Sequence, residues 1–199
     1  MRKLITLSTL IFAACLCINF KQSSNIQEGD IIFQTTAGQR AQAIQLATNS
    51  KYSHCGIVFK ENGKWVVYEA VQPVSKISLE DFNTRGKGTI MRLKNSDKFL
   101  NSQSIQKLKV VFKQYENKNY DMAFNWSDKE LYCSELVYKM YFNALNIELC
   151  SPRALKDFNL KNPLVKQELT KQYGDNIPLN EPMVSPSDIS NSQLLELVK

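Results

Sequence analysis

Two kinds of side chain in this sequence can supply a nucleophile and a base. The chain of 199 residues has a single histidine, His54. Its five cysteines are Cys15, Cys17, Cys55, Cys133 and Cys150. Chemistry that needs an imidazole must use His54, and a zinc site made of several histidines is excluded. The sequence therefore favours thiol chemistry, and we expect neither a metal nor another cofactor.

Cys133 is the cysteine best placed to act as a nucleophile. It lies near the start of a predicted helix from about Glu130 to Asn146. Free N–H groups at a helix N-terminus stabilise a thiolate and can also bind an oxyanion. The capping-box pattern at Ser127-Asp128-Lys129-Glu130 would start the helix about a turn and a half earlier and remove most of this benefit. The later start is favoured because Ser and Asp also form turns, and Cys150, after the helix, has no comparable advantage.

The segment that carries His54 is predicted to be a β-hairpin. Strand-like runs from Ser53 to Lys60 and from Lys64 to Val71 flank Asn62-Gly63, the dipeptide that a type I′ turn favours. A two-residue loop fixes the register, so that the numbers of facing residues sum to 125. In this register Gly56 faces Glu69, and His54 faces Val71.

Side chains alternate along these strands, which places His54, Gly56 and Glu69 on one face of the hairpin. His54 and Glu69 are then diagonal neighbours, roughly 7–8 Å apart at the backbone, and Gly56 leaves space between them. A carboxylate there would orient the ring and stabilise the imidazolium. Cys55 points to the opposite face, where it either packs in the core or pairs with Cys150.

Taken together, these segments resemble a known enzyme family, the YiiX/YaeF-type permuted papain-like amidases of the NlpC-type cysteine peptidase superfamily. The resemblance spans about residues 29–149. It rests on the order of the following segments: Gly29-Asp30-Ile31-Ile32, the predicted helix over residues 42–50, Tyr52-Ser53-His54-Cys55-Gly56-Ile57-Val58, Tyr68-Glu69-Ala70, Tyr120-Asp121 and Tyr132-Cys133-Ser134-Glu135-Leu136-Val137. In this family the catalytic His precedes the Cys, a circular permutation of the papain order.

The resemblance implies an α+β fold in which an antiparallel sheet or small barrel packs on helices. Carried over to this sequence, it implies Cys133 as nucleophile, His54 as general base and Glu69 as the residue that orients His54. The reaction would be acyl transfer through a Cys133 thioester. The expected substrate is a cell-wall or related peptide. An acyltransferase or lipid esterase, which an apolar groove beside Cys133 would favour, and a non-catalytic envelope binding module are the alternatives.

Further elements must support these residues. Ile31-Ile32-Phe33 reads as a buried strand, residues 38–50 as a helix and Thr89 to Leu93 as another strand. A helical turn is expected at Leu79 to Phe82. The stripe of a longer helix consists of Ile105, Leu108, Val111, Phe112 and Tyr115. Five of the six prolines follow residue 150, so the tail of about residues 151–199 is predicted to wrap the domain as turns and short helices.

The first twenty residues read as an export signal. Arg2 and Lys3 precede an uncharged apolar run from Leu4 to Phe20. At this length a membrane anchor is the less favoured alternative. Ala13-Ala14-Cys15 also resembles a lipoprotein cleavage site, so a lipid on Cys15 and ordinary cleavage near Cys17 both stay open.

We therefore expect a signal over residues 1–20 and one hydrolase domain over residues 26–199, located in the bacterial cell envelope. Loss of the signal lowers the formal charge from +6 to about +4, and no basic run indicates nucleic-acid binding. Membrane contact is expected only through the signal or lipid anchor. The domain keeps an odd number of cysteines, so at least one should be free or intermolecular.

Overall fold

A computed structural model describes residues 25–198, which form a six-stranded antiparallel sheet packed on helices. The predicted export signal over residues 1–20, with Cys15 and Cys17, lies outside the described residues. Among residues 25–198, no helix is long and apolar enough to cross a membrane.

The main sheet joins the two ends of the described chain. Its strands are β1 (Ile31–Gln34), β2 (His54–Glu61), β3 (Lys64–Glu69), β4 (Ser75–Ser78), β5 (Gly88–Leu93) and β8 (Leu195–Leu197), in the order β4-β3-β2-β1-β5-β8. A separate pair consists of β6 (Arg153–Ala154) and β7 (Pro182–Met183). The helices are α1 (Gln39–Thr48), α2 (Leu79–Thr84), α3 (Ser96–Phe99), α4 (Ser102–Tyr115), α5 (Cys133–Leu145), α6 (Pro163–Tyr173) and α7 (Pro186–Ser190).

The two faces of the sheet have separate apolar cores. On one face Cys55, Ile57 and Tyr68 pack with α4 and α5 in the larger core. On the other face Val58 and Val67 pack with the α2 residues of a smaller core. The alternation of side chains along β2 and β3 is thus as predicted from the hairpin.

The hairpin turn and its register are confirmed. Asn62 and Gly63 have φ angles of 49° and 79°, as a type I′ turn requires. Ile57 pairs with Tyr68 and Glu61 with Lys64, so the numbers of facing residues sum to 125. The local turn chemistry therefore determines which side chains of β3 share a face with His54.

The helical predictions are confirmed, with bounds that differ by a few residues. The predicted stripe of α4 is buried along its whole length. The predicted helix over residues 38–50 corresponds to α1, and the helical turn after Ser78 extends into α2. The helix predicted from about Glu130 starts three residues later, at Cys133, while residues 127–130 form bends. The capping-box pattern there does not start the helix.

Two parts of the fold were not predicted. β4 pairs with β3, but its residues are only partly buried, so its sequence carries little apolar signal. The tail is more ordered than turns and short helices alone, because α6 has 11 residues and β8 extends the main sheet beside β5. Such an edge strand depends on a distant partner rather than on its own composition.

Candidate active site

Cys133 is the first residue of α5, and its side chain meets the start of β2. The residue is 3% exposed. Tyr132 before it has an extended backbone, which ends the preceding loop and starts the helix at Cys133. The first N–H groups of α5 therefore lie at the thiol, as the later helix start predicts. Ser134 Oγ donates to the carbonyl of Val184 at 2.7 Å and ties the helix start to the tail.

His54 and Glu69 meet on one face of the hairpin. His54 Nε2 lies 2.5 Å from Glu69 Oε2, and the two residues are 8% and 1% exposed. Phe82 stacks on the imidazole with ring centroids 5.7 Å apart. This bond at Nε2 leaves Nδ1 as the ring nitrogen available to Cys133. The structure thus brings together the three side chains that the sequence selected.

Gly56 permits this approach in a way that differs from the prediction. A Cβ atom on Gly56 would lie 2.6 Å from Val67 Cγ1 and 2.8 Å from the carbonyl oxygen of Tyr68. The space above Gly56 is therefore filled by β3 rather than open. Glycine is needed here because the two strands come into close contact.

Arg85 is a member of the site that sequence reasoning missed. Its Nη2 donates to both oxygens of Glu69, at 2.7 and 2.8 Å, and its guanidinium lies over the ring of Phe82. Gln34 Nε2 donates to the carbonyls of Phe82 and Gly86, both at 2.6 Å, and so fixes the segment that carries Arg85. No local pattern marks these contacts, because Arg85 and Glu69 are 16 residues apart and Gln34 is 48 and 52 residues from Phe82 and Gly86.

The charges in the site favour an imidazolium. Burial alone would lower the pKa of His54, but the charge and hydrogen bonds of Cys133 and Glu69 outweigh it and raise this pKa to about 9. Burial would raise the pKa of Glu69, but His54 and Arg85 together lower it. Glu69 is therefore a carboxylate and His54 a cation at neutral pH.

The pKa of the Cys133 thiol is shifted in the opposite direction, downward. A hydrogen bond from the Cys55 side chain is the main cause that lowers its pKa well below the usual value, and the charge of His54 adds to it against burial. Burial and the same contact raise the pKa of Cys55, which stays a protonated donor. Cys55 thus packs in the core as predicted, but it also supports Cys133.

The three cysteines of the described residues are all free thiols. The alternative in which Cys55 pairs with Cys150 is therefore not what the structure shows. Cys150 is partly buried, and burial is the main cause that raises its pKa to about 12. Of the three described thiols, only Cys133 has the properties of a nucleophile at neutral pH.

Tyr120 lies close enough to Cys133 for their charges to interact. Burial, and then the charge of Cys133, raise the pKa of its phenol, which therefore stays protonated and able to donate. The backbone N–H of Tyr120 donates to Gln72 Oε1 at 2.7 Å, and Tyr120 pairs with Leu131 in an isolated parallel β-bridge. The sequence pattern contained Tyr120 but gave it no role.

A salt-bridge cluster holds the loop after Tyr120 against α5. Lys139 Nζ lies 2.8 Å from Glu135 Oε1 and 2.7 Å from Asp128 Oδ1, and it donates to the carbonyl of Ser127. Burial raises the pKa of Glu135 to about 7 despite Lys139. The cluster therefore joins the first turns of the Cys133 helix to the segment that leads from Tyr120.

A cavity opens beside Cys133, and most of its surface is apolar. The cavity volume is about 120 Å³, smaller than the roughly 300 to 1,000 Å³ typical of sites that enclose a whole small ligand. Its walls come from α1, α6 and the tail, and its apolar lining includes Ala43, Ala47, Leu155, Val165, Leu169 and Val184. The thiol thus faces a space that suits an apolar group.

Known proteins similar to this chain agree with the fold. Residues 25–199 match the family model described as "Permuted papain-like amidase enzyme, YaeF/YiiX, C92 family". The chain is 41% identical over 175 residues to the uncharacterized protein YiiX of Escherichia coli K12, covering 86% of this chain and 85% of that protein. A crystal structure described as the metalloprotein yiiX from Escherichia coli O157:H7 matches with a TM-score of 0.83 and 42% identity, over 87% of this chain and 96% of that one.

The description of that relative as a metalloprotein has no counterpart in the side chains seen here. Among residues 25–198, no group of three or more His, Cys, Asp or Glu side chains is placed to hold a metal ion. The fold, the order of His54 before Cys133 and the match over residues 25–199 all agree with one assignment. The chain belongs to the YaeF/YiiX family of permuted papain-like amidases.

Proposed function

We propose that this protein is a thiol amidase in which Cys133 is the nucleophile, His54 the acid and base, and Glu69 the residue that orients His54. The observation that carries the proposal is the chain of contacts from Cys133 to His54 and from His54 Nε2 to Glu69 Oε2, the latter at 2.5 Å. It provides a thiolate and an imidazolium together at neutral pH.

The first half of the reaction forms a thioester. The Cys133 thiolate attacks the amide carbonyl carbon, and the oxyanion receives hydrogen bonds from N–H groups at the start of α5 and from the Tyr120 phenol. His54 then gives a proton to the amine nitrogen as the C–N bond breaks. In the second half, His54 takes a proton from water, the hydroxide oxygen attacks the thioester, and the C–S bond breaks to release the acid.

The apolar cavity favours an apolar acyl group as the part of the substrate bound beside Cys133. Peptide stems of a cell wall carry polar and charged groups throughout, and they would leave these groups without partners against such walls. An acyl chain would instead bury its surface there. We therefore propose acyl amides of the cell envelope as substrates, reached after export directed by residues 1–20.

The same site supports acyl transfer as a second function. A thioester that is shielded by the apolar walls can be taken by an amine or alcohol in place of water. Acyl transfer would require Cys133 and His54 just as hydrolysis does. The identity of the product shows whether water, an amine or an alcohol accepts the acyl group. A non-catalytic binding module would bind the acyl group and release no product.

Alkylation tests the thiolate. At pH 6, iodoacetamide should modify Cys133 far faster than Cys55 or Cys150, because only the Cys133 pKa is lowered. Mass spectrometry of peptides from the treated protein locates the modified residue. His54→Ala should slow this reaction, while Cys150→Ala serves as the matched control. Equal reactivity of the three thiols would contradict the proposal.

Product analysis tests the reaction. The wild type, Cys133→Ala and Cys150→Ala are incubated with N-dodecanoyl amides, with cell-wall peptide fragments and with acyl lipids, and products are identified by mass spectrometry. We expect fatty acid from the N-acyl amides with the wild type and Cys150→Ala, and none with Cys133→Ala. Cleavage of wall peptides alone would contradict the acyl substrate, and binding without cleavage would contradict the amidase.

A further inference from the structure

The apolar cavity beside Cys133 contains two charged residues, Arg40 and Glu168. Arg40 belongs to the first turn of α1, and Glu168 lies in the middle of α6. Both side chains are partly buried. A charge in an otherwise apolar cavity loses hydration and needs a partner. The partners of these two residues therefore indicate what the cavity binds.

Among the described residues, the side-chain contacts of Arg40 are with a thioether and an aromatic ring. Its Nη1 lies 2.9 Å from the Met122 sulfur, and its guanidinium carbon is 6.0 Å from the centre of the Phe124 ring. Among the described residues, no carboxylate oxygen lies within 4.0 Å of Arg40, although ten other ion pairs are formed. A guanidinium has five N–H donors, so most of them stay available to a ligand.

The charge of Arg40 also acts on two tyrosines, Tyr120 and Tyr173. Its positive charge lowers the pKa values of Tyr120 and Tyr173, against the larger effect of burial. Tyr120 in turn interacts with Cys133. Arg40 and Cys133 line the same cavity.

The shape and charge of the cavity together fit an amphiphile with a negative polar end. The apolar walls take the chain, so the polar end lies where Arg40 provides free donors. We propose that Arg40 is a specificity-determining residue that binds a carboxylate or phosphate on the polar part of the acyl substrate. Arg binds both groups through paired N–H donors. The inference rests on the proposed function for its acyl chain, but it concerns binding rather than cleavage.

Binding to Cys133→Ala tests the inference without turnover. Isothermal titration compares N-dodecanoylglycine with its neutral counterpart N-dodecanoylglycinamide, and with N-dodecanoylphosphoethanolamine, all below their micelle concentrations. We expect at least one anion to bind about tenfold tighter than the amide, the effect of one charged hydrogen-bonded pair. Which anion binds more tightly distinguishes an acyl amino acid from a phospholipid-like substrate.

Variants in the same Cys133→Ala background assign the preference to Arg40. Arg40→Gln should reduce it to within about twofold, and Arg40→Lys should keep part of it. Lys171→Gln removes the same charge from an exposed position of α6 outside the cavity and should leave the preference unchanged. Glu168→Gln should not lower the preference for the anion over the amide.

Equal affinity for anions and amide would overturn the inference, and so would a preference that survives Arg40→Gln. Failure of all three ligands to bind would overturn it as well. Failure of the wild type to hydrolyse a ligand that binds with the expected preference would contradict the proposed amidase and leave the role of Arg40 in place. Hydrolysis of all three compounds without a preference in binding would overturn the role of Arg40 and leave the proposed amidase in place.

Discussion

His54 lies between two partners that both stabilise its positive charge. Glu69 contacts Nε2 at 2.5 Å, and Cys133 supplies the second negative group. Arg85 bonds to Glu69 and keeps that carboxylate charged. The resting site is therefore an ion pair, and the pH range of activity should follow from the stability of this pair.

The plot of kcat/KM against pH should be bell-shaped and wide. The acid side reports protonation of Cys133 and should lie well below the usual thiol pKa, because that pKa is lowered. The alkaline side reports loss of the imidazolium as the pH rises through the His54 pKa of about 9. Steady-state rates on an N-dodecanoyl amide across this range, with thiolate absorbance as a second readout, measure both sides.

Glu69→Gln is the informative companion variant. The amide removes a negative charge that favours the imidazolium, so the alkaline side should move to lower pH. An unchanged alkaline side would mean that Glu69 does not act on the charge of His54.

Tyr120→Phe should lower kcat by about a hundredfold and change KM little, because one oxyanion donor is lost. The change leaves the aromatic packing in place, so the melting temperature should stay near that of the wild type. Tyr138→Phe is the matched control on α5, away from the site. Equal losses in kcat for the two variants would exclude Tyr120 as the donor.

At the scale of the elements, the hairpin brings His54 and Glu69 together through the close contact at Gly56. Gly56→Ala places a methyl group against Val67 and the backbone of Tyr68, which should separate β2 from β3. We expect a loss of about 1–3 kcal/mol in the free energy of unfolding, together with most of the activity. Chemical denaturation and rates at a temperature where both proteins are folded measure the two effects.

Gly63→Ala is the control for this prediction. It strains the turn at φ 79° but meets no atom within 4 Å. It should cost about 1–2 kcal/mol while activity of the folded protein stays normal. If both variants lose stability and both keep activity, the strand contact at Gly56 is not what positions the site.

The sequence predicted those elements whose structure is determined locally. The Asn62-Gly63 turn determined the register of the hairpin, and with it the neighbour relation of His54 and Glu69. The contacts of Arg85, the edge strand β8 and the cavity walls could not be predicted, because each joins segments that are distant in the chain. The donation from Cys55 to Cys133 could not be predicted either. Alternation on β2 indicates only that Cys55 and His54 face opposite sides of the sheet, and Cys133 is distant in the chain.

At the scale of the whole molecule, the tail completes both the sheet and the cavity. β8 covers the edge of β5, and Leu195 is 5% exposed in the larger core. A chain that ends after Ser192 should therefore lose about 2–4 kcal/mol of stability, from lost apolar burial and the exposed strand edge. Urea unfolding of this truncation measures the loss.

The control for this truncation is a chain that ends after Leu197, which keeps β8 and should unfold near the wild-type midpoint. If the shorter chain unfolds at the same midpoint as the longer one, β8 does not contribute to stability. The alkaline side of the rate profile should be unchanged in both, because His54 lies away from this edge.

The reacting groups come from β2, β3 and α5, whereas most of the cavity walls come from α1 and from the tail after α5. Under the proposed function, the reacting groups and most of the residues that select the substrate thus lie in different stretches of the chain. Descendants of one ancestral enzyme can exchange or mutate the wall segments and acquire new substrates while inheriting the same reaction.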